Sequence, residues 1–172
     1  AVGVERGRLP VGPEGGRTYL HVLRGGCRRR SRSGGPADEA LLKASAQVAA
    51  QPTAGSRNDR LKTHVEARGR ICEEWLPLWR ALNANQGDSA ELKARIRLIR
   101  EMVIRRIEEI YAHELSSLEE RERRQTVLAI EALIDFESWA RMRELFGLSF
   151  EDACGVWKRA VDRLLPTTPP VS

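Results

Sequence analysis

The chain has 172 residues, 31% charged and 41% hydrophobic, enough for one domain with a real core or one domain and a small appendage. Its net charge of +5 is gathered at one end: residues 1–35 hold eight Arg against Glu5 and Glu14, and the rest of the chain is near neutral. Three cysteines without a C-x-x-C pair, no apolar run near the ~18 residues of a membrane span and no signal-peptide core argue against a disulfide scaffold, a membrane partner and export; a soluble, cytoplasmic protein is expected.

Residues 1–35 carry nine Gly and two Pro, and no helical or alternating period survives there. They read as a disordered basic arm. Arg28, Arg29, Arg30 and Arg32 supply charge for phosphate groups without supplying geometry. Residues 36–51 form a short helix by pattern, with Pro36 in a first turn and Asp38 and Glu39 at its positive end. A long helix follows from about Asn58 to Asn83, with Pro77 in its middle removing one backbone donor and kinking it. Trp75 and Trp79 flank that kink, either opening a space or simply filling the core.

After the breaker Gly87, Asp88 and Glu91 make a capping box for a helix reaching about Leu115. Leu92, Ile96, Ile99, Val103, Ile107 and Ile110 recur at helical spacing, the cleanest amphipathic stripe in the chain. The arginines between them, interspersed with Glu, read as a solvated surface. Ser117 and Glu120 then suggest a capping box for a helix closing at Gly147. Its apolar residues, including Leu133, Ile134, Phe136 and Trp139, cover about two stripes rather than one, which predicts burial on two sides and hence a partner chain. The last helix opens at Ser149 with Asp152 three residues on. It carries Val156, Trp157 and Leu164, and Pro166 stops it.

Chemistry is sparse. His113-Glu114 would begin a zinc-protease motif, but Ser117 stands where the second His belongs. His21, His64 and His113 have no Cys or His at ligand spacing, and no phosphate-cradling glycine loop is present. No catalytic residue, metal site or cofactor is assigned, and an enzyme is not expected.

The segment ALIDFESWARMRELFGLSFEDACGVWKRAVDRLL resembles the last two helices of TetR-family transcriptional regulators. RGRICEEWLPLWRALNAN resembles the first long helix of the ligand domain in part of that family. The likeness runs from about Arg60 to Leu165. It implies an all-α bundle over 36–166, followed by a tail at 167–172, with the last two long helices meeting their symmetry mates in a four-helix homodimer interface. Leu133, Ile134, Phe136, Trp139, Val156 and Trp157 are the interface candidates. It also implies ligand-controlled regulation, usually repression, by a small apolar or aromatic effector. Trp75, Trp79, Met102, Tyr111 and Ile130 are the candidate ligand contacts. The family pattern expects a helix-turn-helix at the N-terminus, and residues 1–35 depart from it, so no base-contacting residue is assigned. DNA (an operator) is a partner only if that segment works. The alternative reading is a helical dimerisation or protein-interaction module that does not bind DNA.

Overall fold

A computed structural model describes Lys43, Ala46 and residues 53–85, 87 and 90–169, all within the second of two compact units, Lys43–Ser172. Every regular element among the described residues is helical: α1 (Arg57–Asn85), α2 (Ala90–Ile110), the single turn α3 (Ala112–Leu115), α4 (Glu120–Leu133), α5 (Phe136–Ala140) running into a π-helical turn (Arg141–Leu145), and α6 (Phe150–Leu164). The fold is an all-α bundle. Of the expected helix over 36–51, only Lys43 and Ala46 are described, both helical and exposed. The arm 1–35 and the Asp88 capping box lie outside the described residues.

α1 is the axis on which the others pack, touching α6, α5 and α2. Its buried face is Leu61, Val65, Ile71, Cys72, Leu76 and Trp79, and it continues through Pro77, which is exposed. α2 buries the predicted stripe, with Ile96, Val103, Ile107 and Ile110 in the core and Ile99 packed against it. Gly69 lets α1 approach α5 and α6 closely: a Cβ there would sit 2.7 Å from Trp139 Cη2 and 3.1 Å from Phe150 Cε2.

The region predicted as one helix from Ser117 to Gly147 is three pieces. It starts at Glu120, not Ser117, and Glu119 at its cap gives no side-chain hydrogen bond. Ser117 instead donates its hydroxyl to the Glu114 carbonyl (3.0 Å), closing the preceding turn. The helix then breaks at Ile134–Asp135. The Asp135 carboxylate accepts from Ser138 N–H (2.7 Å), an N-cap that restarts the helix as α5, while the Ser138 hydroxyl donates back to the Leu133 carbonyl. That break overturns the argument for a partner from two apolar stripes. Re-aimed by the bend, Phe136, Trp139 and Met142 point into the chain's own core beside Ile130 and Ile134. The end of the segment matches expectation: Gly147 takes φ +64, Phe146 N–H reaches the Arg141 carbonyl, and Leu148 N–H reaches that of Met142. Ser149 caps α6 by accepting from Asp152 N–H at 3.0 Å.

Candidate functional site

α1 carries a polar seam through its apolar face. Arg60, His64 and Arg68 stand four residues apart, on one side of the helix, interleaved with Leu61, Val65 and Cys72. His64 and Arg68 are buried, and only 10% of the Arg60 side chain is exposed. Each finds a different partner. Arg60 pairs with Glu114, whose side chain is sealed, and also donates to the Gly55 carbonyl at 2.7 Å. Thr168 in the C-terminal segment donates to the same Glu114 oxygen at 3.1 Å. Arg57, one turn earlier, donates to the carbonyls of Asp162, Leu165 and Pro166 and to the Asp162 carboxylate, satisfying the open carbonyl end of α6.

His64 Nδ1 meets the Tyr111 hydroxyl at 2.8 Å, inside the core. Burial is the main reason the imidazole pKa falls from 6.5 to about 3; the positive charges of Arg68 and Arg106 push it the same way. The ring is therefore neutral across ordinary pH. Burial, then the Glu114 charge, raises the Tyr111 phenol above its usual range, so it stays protonated. Arg68 donates from Nε to the Ile134 carbonyl at 2.9 Å, at the end of α4, and its guanidinium lies 4.9 Å above the Phe136 ring. Phe136 stacks on Trp79 (4.8 Å between centroids, 16° between planes), and Arg100 covers Trp79 at 5.4 Å. Two cations thus face a stacked aromatic pair. Cys72 and Cys154 are both free and buried, with thiol pKa values pushed up to about 11, chiefly by burial, so neither is a ready thiolate.

The residues named as ligand contacts are dispersed. Met102, Tyr111 and Ile130 are core residues, Trp79 is stacked on Phe136, and Trp75 is half-buried under Lys43. An open cleft of about 410 Å³ does lie beside Pro77, but its walls are Glu73, Leu76 and Pro77 of α1 with Trp139, Arg143 and Leu148. None of the five candidates lines it. Glu73 Oε1 accepts from both Arg143 Nε (2.6 Å) and Trp139 Nε1 (3.2 Å), and Glu144, which also lines the cleft, pairs with Arg80, so both carboxylates of the cleft are engaged.

Of the interface candidates, Ile134, Phe136, Trp139 and Trp157 are interior residues: Trp139 packs against Phe150 and Trp157, and Trp157 Nε1 donates to Ser138 Oγ at 3.1 Å. Leu133 is half-buried. Val156 is 48% exposed, and with it stand Leu164 on α6 and Leu128 on α4, both about as open. Leu145 and Phe146 project further still at the π-helical turn.

Sequence reasoning missed the seam. His64 reads as isolated, and Arg60 and Arg68 are assigned no role. The usable signal was the i, i+4, i+8 spacing of Arg60, His64 and Arg68 in register with apolar neighbours. Among the described residues, no three His, Cys, Asp or Glu side chains gather as a metal site, and no helix is long and apolar enough to cross a membrane. No family model matches the chain, nor does any curated protein or any solved structure.

Proposed function

We propose that the chain is the ligand-binding and dimerisation part of a TetR-like transcriptional regulator, acting as a repressor that a small molecule releases. The observation that carries this reading is the apolar surface left on α4 and α6, which pack on each other. Leu128, Val156 and Leu164 are exposed there, whereas away from the π-helical turn the other large apolar side chains among the described residues are buried or half-buried. Isologous pairing of two such helix pairs covers that surface with a four-helix contact. An effector bound among α1, α2 and α4 then shifts the two protomers, with a coupling on the order of 1–3 kcal/mol.

Light scattering on Val156→Asp and Leu164→Asp tests the dimer: both variants should be folded monomers where the unaltered chain is a dimer. A folded dimer in both places the interface elsewhere. DNA binding needs its own test, because residues 1–35 are rich in Gly, Pro and Arg and favour the second reading, a helical dimerisation module without a DNA reader. The full chain should be titrated with its own upstream DNA and with scrambled DNA across salt concentrations. Binding that ignores sequence and vanishes with salt would leave the module and remove the repressor.

A further inference from the structure

Arg68 is the one member of the polar seam whose charge has no counter-ion among the described residues. Its residue exposure is only 6%, yet its partners are one backbone carbonyl and one ring face. Arg60 has Glu114, Arg106 has Glu109 and Arg100 has Glu131. The terminal nitrogens of Arg68 donate to no acceptor among the described residues. Unlike Arg60 Nε, Arg106 Nε and Glu114 Oε2, they are not among the buried polar atoms sealed without a partner, so they remain reachable. The carbonyl end of α4 supplies a partial negative charge to Nε, of about half a unit at most. That accounts for one donor of five. A largely buried guanidinium whose fork still opens outward, with no acceptor among the described residues, is suited to a bidentate anion.

We propose that Arg68 is the anchor of an anion site, and that the effector of this domain carries a carboxylate which takes the free fork of that guanidinium. This rests on the regulator reading for the word effector, but not for the site itself. The surroundings suit such a group. The Arg68 guanidinium lies over the face of Phe136, which Trp79 backs, so that its aromatic support comes from one side. His64, one turn away on the same face, is bonded to Tyr111, so its ring is already engaged and does not occupy the Arg68 fork. Glu114, the sealed carboxylate of the seam, is held by Arg60 and Thr168.

The test is thermal unfolding of the full chain with sodium benzoate, sodium acetate or sodium octanoate, and with benzamide as the uncharged control, for the unaltered protein and Arg68→Met. At least one carboxylate should raise Tm saturably while benzamide does not, and Arg68→Met should lose that shift. Without any anion, Arg68→Met should melt no lower than the unaltered chain, because it removes an uncompensated buried charge and keeps the apolar stem. A large fall in Tm for Arg68→Met alone would make Arg68 a structural cap of α4 and overturn the proposal. So would equal carboxylate shifts in both proteins, or none in either. If benzamide alone raises Tm, and does so in both proteins, the anion site fails and a regulator with a neutral effector survives. If the carboxylate shift depends on Arg68 but alters neither dimerisation nor DNA binding, the site stands and the regulator reading falls.

Discussion

Two glycines inside helices should respond in opposite directions to the same substitution. Gly69 lies in the middle of α1 and Gly155 within α6, so Ala at either gains the helix-propensity difference of about 1 kcal/mol. At Gly155 nothing lies within 4 Å of the added methyl, and Gly155→Ala should keep that whole gain. At Gly69 the methyl would meet Trp139 Cη2 at 2.7 Å and Cζ3 at 3.1 Å, and Phe150 Cε2 at 3.1 Å. The indole cannot swing away cheaply, since Trp157 packs on it at 4.8 Å and its Nε1 is bonded to Glu73. Overpacking of this kind costs about 1–3 kcal/mol, so Gly69→Ala should come out destabilised by about 1 kcal/mol after the propensity gain. The two variants should therefore differ by roughly 2 kcal/mol although the chemical change is identical. Urea unfolding followed by Trp fluorescence, with midpoints compared at constant slope, reads the difference directly. Should Gly69→Ala prove as stabilising as Gly155→Ala, α1 does not cross Trp139 as closely as described, and the close packing of α1 on α5 and α6 is wrong.

Ser149→Ala removes the side chain that accepts from Asp152 N–H and should cost about 1 kcal/mol in the same urea assay; an unchanged midpoint would mean the cap is not formed in solution. Glu114→Ala strands Arg60 in a nearly sealed site and should cost about 3–5 kcal/mol, far more than a surface ion pair, so a loss under 1 kcal/mol would show that the pair is hydrated. His64 is neutral in the folded chain down to a pKa of about 3, against its usual 6.5, so between those values the unfolded chain takes up the proton and the folded chain does not. Its contribution is complete above pH 6.5, falls as pH drops towards 3, and amounts to a loss of about 2 kcal/mol between pH 7 and pH 5. His64→Gln should take that share out of the pH dependence, and an identical slope in the variant would assign the acid sensitivity to other groups.

The elements of the bundle were legible where one residue type decides the local backbone. Ser149 with Asp152, Gly147, and the Ile-rich stripe of α2 each name a helix end or a core face without help from tertiary structure. The break at Asp135 was legible in principle and passed over, because Asp inside a run of good helix formers looks like a surface residue. Only the pairing of Asp135 with Ser138, and of the Ser138 hydroxyl with the Leu133 carbonyl, makes it a cap. That one cap decides where its neighbours are buried. With the break missing, Phe136 and Trp139 fall on a second face and call for a partner; with it present, the chain buries them itself.

The seam on α1 was hidden for the opposite reason. Helical spacing says that Arg60, His64 and Arg68 share a face with Leu61, Val65 and Cys72, but charge alone assigns such residues to water. What overrides that assignment is the supply of partners from distant chain segments: Glu114 and Tyr111 beyond α2, the carbonyl at the end of α4, and Thr168 near the C-terminus. Each of these contacts spans at least 47 residues of sequence, so no local window contains both halves. The break at Asp135 and the seam are also one device. By ending α4 at Ile134, the break exposes the carbonyl to which Arg68 Nε donates, and by restarting the helix it lays Phe136 beneath the same guanidinium. An uninterrupted helix would use the Ile134 carbonyl internally, leaving Arg68 without its hydrogen bond. Removing the cap with Asp135→Ala should therefore weaken more than one helix end. It should also loosen the Arg68 fork, and with it any carboxylate shift in Tm, while Ser149→Ala, at a cap outside this device, leaves that shift intact.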